Sequence, residues 1–184
     1  MSGHVAGVGR LREYQAQRRY TGWCESPIGC LALSADDRGL TSLTIDTDEH
    51  AAEEGLKPGS GGDAHIILDA IEQLQAYFAG RLTRFDLPVN PGGTDFQRRA
   101  WHELQRIPFG ETMTYGEQAR RMKAPKACRA VGRANGANPI PIIIPCHRVI
   151  GADGKLTGFS SGLWIKRWLL EHESRQRDLL ASSA

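Results

Sequence analysis

Cys146 lies in the run Ile144-Pro145-Cys146-His147-Arg148-Val149 and is the residue most able to do covalent chemistry. A free thiol has a pKa near about 8.5 and is only a few per cent ionised at neutral pH, so a nucleophilic cysteine needs a base or a positive field beside it. His147 offers the base and Arg148 the charge. A carboxylate brought in from elsewhere to orient the imidazole would complete a nucleophile–base–orienter relay. A cysteine that follows an apolar run can equally be a small core residue, and local chemistry leaves both readings open. The other cysteines, Cys24, Cys30 and Cys128, form no C-x-x-C pair and no Cys/His cluster with zinc-ligand spacing. They are expected to be inert, and no metal is expected. Spacing permits a Cys24–Cys30 disulfide. A chain of this size without a signal-peptide pattern, however, is expected in the cytoplasm with reduced thiols.

Charge suggests what such a nucleophile would act on. Residues 1–90 hold 8 basic against 13 acidic side chains, and residues 91–184 hold 15 against 8, so the net charge of +2 hides an acidic first half and a basic second half. Arg120, Arg121, Lys123, Lys126, Arg129 and Arg133 follow one another with no intervening acid. That pattern fits a polyanion partner, and it also fits an ordinary solvated basic face. No apolar run approaches the 18 residues of a membrane span, so no membrane partner is expected.

The elements that must carry these residues divide into two lobes. Residues 1–18 read as a polar, loose extension. Three alternating runs, 19–25, 29–35 and 39–45, are separated by Ser26-Pro27-Ile28-Gly29 and Asp36-Asp37-Arg38-Gly39, which predicts a three-stranded antiparallel meander. Residues 46–63 read as a flexible loop. Ile67, Ile71, Leu74 and Phe78 recur at helical spacing and Gly80 supplies a stop, so a helix is predicted over 64–79. A strand is expected at 84–89, and Asn90-Pro91-Gly92-Gly93 marks the lobe boundary. The second lobe, 91–175, opens with two capping-box patterns, Thr94/Gln97 and Thr114/Glu117, each starting a helix. A further helix from Pro125 to Gly136 would carry Lys126, Arg129 and Arg133 on one face and complete a helix-turn-helix. Ile142 to Ile144 is expected as a buried strand or extended segment running into Cys146, and a last helix from 161 or 162 would hold Glu173 near its end, before a tail at 176–184. His102 and His172 read as structural, and Trp101, Trp164 and Trp168 as core aromatics. The fold class is α+β.

The run from Thr94 to Glu173 resembles the O6-alkylguanine-DNA alkyltransferases, the methylated-DNA–protein-cysteine methyltransferases. The resemblance rests on Gly93-Thr94-Asp95-Phe96-Gln97, Ile107-Pro108-Phe109-Gly110-Glu111-Thr112, Thr114-Tyr115-Gly116, Arg129-Ala130-Val131-Gly132, Asn138-Pro139-Ile140-Pro141, Ile144-Pro145-Cys146-His147-Arg148-Val149-Ile150 and Leu169-Leu170-Glu171-His172-Glu173. Over residues 20–90 it is weaker, although Ser26-Pro27-Ile28-Gly29 and Ala76-Tyr77-Phe78-Ala79-Gly80 share it.

The resemblance implies a ribonuclease H-like first lobe and a DNA-binding, alkyl-transferring second lobe. The function implied is DNA repair by direct reversal: O6-alkylguanine, and O4-alkylthymine with it, is flipped from the duplex and its alkyl group moves irreversibly to Cys146, once per molecule. His147 would act as base through a bridging water, because neighbouring side chains on an extended chain point opposite ways. Glu173 would orient His147, Asn138 would position the active-site turn, and Tyr115 would donate to guanine N3. Ser160 would donate its N–H to O6. The carbonyls of Cys146 and Val149 would read the exocyclic amine, with Pro141 packed on the base and Phe159 beside the O6 donor. DNA would lie with its minor groove on Thr114, Ala127, Ala130, Gly132 and Arg133, and Arg129 would fill the vacated stack. The resemblance implies no cofactor, and a monomer is expected. Arg133, Cys128, Phe159 and Ser161 depart from the residues usual in the family, which bears on groove fit and pocket width. A flagging protein without chemistry would carry tryptophan at position 146. A thiol hydrolase would give the basic helix no role, and a transcription regulator would need a separate effector domain.

Overall fold

The structure, a computed structural model, describes residues 20–47 and 65–182. The expected extension 1–18, Arg19, Ala64 and nearly all of the loop at 46–63 lie outside these residues. Strands β1 (Tyr20–Ser26), β2 (Gly29–Asp36) and β3 (Gly39–Asp46) form an antiparallel meander in that order. Alternation places Cys24, Leu31, Leu33 and Leu43 on one face. That face receives Ile67, Ala70 and Leu74 of α1 (His65–Phe78). Gly29, at φ 117°, allows the tight β1–β2 turn, and a Cβ there would meet the Asp46 carbonyl oxygen.

Residues 84–89 do not form the expected strand. Val89 makes a lone parallel bridge to Leu40. Pro88 offers no N–H to a ladder, and Asp86 spends its backbone groups on the Gln73 side chain, which accepts from Asp86 N at 2.8 Å and donates to Asp86 O at 2.9 Å. The segment is held by a helix side chain at Asp86 and by a single bridge to β3, where Leu40 N donates to Pro88 O and Asn90 N donates to Leu40 O.

The second lobe contains α2 (Asp95–Leu104), β4 (Met113–Thr114), α3 (Tyr115–Arg121), α4 (Cys128–Gly136), a 3-10 turn at Cys146–Arg148, β5 (Val149–Ile150) and α5 (Leu163–Ser182). Both capping boxes form, with Thr94 and Gln97 closing reciprocally over the start of α2, and Thr114 and Glu117 over α3. A small core of Ala100, Ala119, Met122, Val131 and Ala134 locks α2, α3 and α4 together. Its polar centre is satisfied: Gln118 donates to Ala100 O and Asn135 Oδ1, and Asn135 donates back to Gln118.

Several expectations for this lobe are corrected. α4 begins at Cys128, not Pro125, because Lys123 turns to φ 57° and Ala124 N donates to Ala119 O, closing α3. Proline also disfavours helical geometry at Ala124. Lys126 therefore precedes the helix and does not share a helical face with Arg129 and Arg133. Ile142 to Ile144 is buried as expected but forms a turn, with Ile142 at φ 73° and Ile144 N donating to Ile140 O. Pro141 lacks the donor a strand would need. Finally, Trp164 is 53% exposed, whereas Trp101 is buried with its indole N–H on Ala134 O, and Trp168 stacks on His172. α5 continues to Ser182, so residues 176–182 of the expected tail extend the helix, 183–184 lie outside the described residues, and Glu173 lies near the middle of the helix. Cys24 and Cys30 are free thiols. No helix among the described residues is long and apolar enough to cross a membrane.

Candidate active site

One buried carboxylate organises the site. Glu173 Oε1 lies 2.8 Å from His147 Nε2 and accepts from the Tyr77 hydroxyl at 2.9 Å and from Arg148 Nη2 at 2.9 Å. Its Oε2 accepts from Arg148 Nε at 2.8 Å and from Gly110 N at 3.0 Å. Burial pushes this carboxyl up, but the hydrogen bonds from His147 and Arg148 and the guanidinium charge of Arg148 outweigh it and hold Glu173 well below the usual carboxylate range. An ionised Glu173 requires Nε2 of His147 to carry the proton, which leaves Nδ1 as the basic nitrogen. Nδ1 is buried and has no hydrogen-bond partner among the described residues. Burial first, against the pull of Glu173, lowers the His147 pKa and keeps the ring neutral.

The turn that carries Cys146 is shaped by Asn138. Its Oδ1 accepts from Ile140 N at 3.0 Å and its Nδ2 donates to Ile144 O at 2.7 Å, tying both ends of the Ile140–Ile144 loop. Cys146 follows in the 3-10 turn, not in extended chain, and is 7% exposed. Burial raises its pKa, while the Asn138 amide and the charge on Lys166 act to lower it. Arg148, expected to lend positive charge to the thiol, instead turns to Glu173 and to Ile107 O.

Across the turn, Tyr115 donates its hydroxyl to Thr157 O at 3.0 Å, and burial raises its pKa. Lys166, fully buried, donates to Val149 O and Thr157 O at 2.6 Å each. Pro141 and Val149 are buried, Phe159 is 9% exposed, and Ser160 is exposed. On the outer face, Arg129 and Arg133 of α4 are exposed, and Ala127, Ala130 and Gly132 are partly so. Thr114, Tyr115 and Gly132 come together, since a Cβ on Gly132 would lie 3.8 Å from the Tyr115 ring.

Tyr77, Gly110 and Lys166 were not among the site residues expected from sequence. Tyr77 sits in an apolar helical pattern and Gly110 contributes only backbone, so neither gives a sequence signal. Lys166 does give one. It lies seven residues before Glu173, two helical turns on the same face, beside Ile165 and Leu169. Among the described residues, no group of three or more His, Cys, Asp or Glu side chains could hold a metal ion.

Residues 95–175 match the family model described as 6-O-methylguanine DNA methyltransferase, DNA binding domain, and residues 19–91 match its ribonuclease-like domain. A methylated-DNA–protein-cysteine methyltransferase of Mycolicibacterium paratuberculosis is 50% identical over 151 residues, covering 82% of this chain and 90% of that protein. One from Methanosarcina acetivorans is 50% identical over 149 residues, covering 81% and 94%. The crystal structure of Mycobacterium tuberculosis O6-methylguanine methyltransferase superposes with a TM-score of 0.74 at 48% identity, covering 86% of this chain and 94% of that one. Mycobacterium tuberculosis OGT in complex with DNA gives a TM-score of 0.71 at 48% identity, covering 84% and 92%.

Proposed function

Because the chain belongs to the 6-O-methylguanine DNA methyltransferase family, we propose that Cys146 is the acceptor thiol and that the Glu173-centred network is the machinery that makes it react. The protein is a direct-reversal DNA repair enzyme, a methylated-DNA–[protein]-cysteine S-methyltransferase (EC 2.1.1.63), and it binds DNA.

The observation that carries the assignment to Cys146 is the unpartnered basic Nδ1 of His147, one residue from the thiol and held in its tautomer by Glu173. In our reading a water between Nδ1 and the thiol takes the proton. The sulfur lone pair then attacks the alkyl carbon in line, and the carbon–O6 bond breaks with its electron pair going to oxygen. The purine takes up one proton as the thiol gives up one, so the step is proton-neutral overall. Tyr115 donates to N3 and the Ser160 N–H to O6, where negative charge develops. Val149 O and Cys146 O accept from the exocyclic amine, and Pro141 and Phe159 bound the base. A thioether is a poor leaving group, so each molecule acts once. O4-alkylthymine presents the same oxygen-bound carbon and is a second substrate in this reading.

Cys146 is 7% exposed, so in our reading the segment through Phe159 shifts as the base enters, and Tyr115 exchanges Thr157 O for N3. We place the DNA with its minor groove against Thr114, Ala127, Ala130, Gly132 and Arg133. Small residues allow close approach there, and Arg129 fills the gap left by the flipped base. The protein is proposed to work as a monomer in the cytoplasm.

The test is to mix the protein with a duplex containing O6-methylguanine, weigh the intact chain and map the modified peptide. One methyl-sized gain on Cys146 is expected. A methyl on Cys24, Cys30 or Cys128 would reassign the acceptor, and tight binding without mass change would indicate recognition without transfer. For the wedge, Arg129→Ala is expected to slow repair of duplexes roughly tenfold or more, given a flipping cost of about a few kcal/mol. Transfer from free O6-alkylguanine should be nearly unchanged. Equal slowing of both substrates, measured in single turnovers, would remove Arg129 from base flipping.

A further inference from the structure

Among the described residues, Tyr77 is the one group of the first lobe that hydrogen-bonds to the carboxylate at the centre of the site. It lies on α1, is fully buried, and its hydroxyl donates to Glu173 Oε1 at 2.9 Å. Its backbone is pinned as well, since Tyr77 O accepts from Gly80 N and from His172 Nε2, each at 2.9 Å. Gly80 ends α1 at φ 71° and lies tight against α5, where a Cβ on it would collide with the Gln176 side chain. The Tyr77 ring is boxed by Phe78, Phe85, Phe109 and His172, with ring centroids 5.2 to 6.1 Å away. Nothing about this side chain is free to turn.

A buried tyrosine needs an acceptor, and a backbone carbonyl would serve. Tyr77 donates instead to the same oxygen that lies 2.8 Å from His147 Nε2. Oε1 thus faces three donors, the imidazole, the phenol and Arg148 Nη2. A donor on a carboxylate disperses its charge and makes it a weaker base, so the phenol and the imidazole compete for one oxygen. The charged and titratable groups around His147 are Cys146 and Arg148 in its own turn, Glu173 and Lys166 on α5, Tyr115 on α3 and Tyr77 on α1. Of these, Glu173 favours a protonated ring, whereas burial, Arg148 and Lys166 oppose it. Whatever weakens Glu173 as a base therefore helps to keep Nδ1 open to accept a proton.

We infer that Tyr77 is a positioning residue of the transfer reaction: by sharing Glu173 Oε1 with His147 it sets how that carboxylate holds the ring, and it makes the first lobe a working part of the active site. The inference rests on reading His147 as the base and Cys146 as the acceptor. Geometry supports it from two directions. The hydroxyl touches the carboxylate itself, and the end of α1 is tied to α5 at His172, the residue next to Glu173. A shift of α1 is therefore felt at Glu173 by two routes. No bond to Tyr77 forms or breaks, and its proton stays on the phenol oxygen, because burial and the neighbouring carboxylate hold its pKa well above the usual tyrosine value.

The experiment uses the full chain with Tyr77→Phe, which keeps the ring and removes only the donor. Two quantities are followed against pH: NMR signals of the His147 ring without DNA, and single-turnover methyl transfer from an O6-methylguanine duplex. With the phenol gone, Oε1 pulls harder on the imidazole, so the proton on Nε2 should move downfield. The acid limb of the transfer profile should rise by about half to one pH unit, which on that limb is a roughly three- to tenfold slower transfer at fixed pH. A merely structural tyrosine would lower thermal stability and leave the Nε2 proton and the profile in place, and that result overturns the inference. Should Tyr77→Phe not fold, the wild-type protein decides. A slowly exchanging Tyr77 hydroxyl proton with a nuclear Overhauser contact to the proton on His147 Nε2 is expected, and its absence refutes the shared oxygen. A wild-type ring protonated on Nδ1 in place of Nε2 overturns the reading of His147 as the base, and the inference with it. That failure is told apart because it appears before any variant is made.

Discussion

Cys146→Ala is expected to abolish methyl transfer entirely while leaving the protein folded and able to bind alkylated duplex. The loss should be complete because the other cysteines stand on other elements: Cys24 and Cys30 belong to the three-stranded sheet, with the Cys24 pKa raised to about 11 by burial and by Cys30, and Cys128 is exposed at the start of α4. Stability should change little, by about 1 kcal/mol, since a small side chain shrinks by one sulfur and a poorly solvated thiol is removed. Intact mass after exposure to an O6-methylguanine duplex, together with a binding titration on the same duplex, checks both halves. A residual mass gain in the variant would show that another residue accepts the methyl. A loss of folding would show that the thiol has a structural role.

Glu173→Gln should have the second largest effect, on stability and rate together. The carboxylate accepts from Tyr77, Arg148 and Gly110 and fixes His147. An amide keeps the shape but turns one acceptor into a donor facing donors, and leaves the Arg148 guanidinium buried without its counter-ion. Removing one partner of a buried ion pair costs about 3–5 kcal/mol. Transfer should slow by about 10²- to 10⁴-fold, the usual weight of a positioned general base, because Nδ1 is no longer held as the basic nitrogen. Rates are to be measured at a temperature where circular dichroism shows the variant folded, and an unimpaired rate there would remove His147 and Glu173 from the chemistry.

The stability difference also has a signed pH dependence. The folded-state pKa of Glu173 lies below the ordinary 4.5, so its contribution is fully present above about that pH and is lost as pH falls further towards the folded-state value. The gap between wild type and Glu173→Gln should therefore be widest near neutrality and should narrow below pH 4.5 in denaturant titrations. A gap that widens on acidification would contradict the assignment of Glu173 as an ionised hub.

Sequence alone determined whatever depends on local pattern. Capping boxes satisfy their own backbone groups within four residues, so the starts of α2 and α3 were readable at Thr94 and Thr114. Period-two alternation with Gly29 and Gly39 at the turns specified the meander, because each strand needs only its neighbour. The Pro-Cys-His-Arg-Val run carried the family, and with it the reaction. The resemblance also implied the Glu173–His147 pairing and the Asn138 turn, and tertiary structure decided which other polar groups meet. Arg148, adjacent to Cys146 in sequence, turns away to Glu173 25 residues on, while the charge near the sulfur comes from Lys166 on α5. Residues 84–89 failed as a strand because a helix side chain 13 positions away, Gln73, took the backbone groups of Asp86. The Ile142–Ile144 run folded as a turn because Asn138 bridges its ends. The physical reason is common to all of these. Apolar burial is non-directional and leaves a periodic trace in one segment, whereas a buried polar group is stable only when a specific partner reaches it, and that partner's identity is set by how distant elements pack.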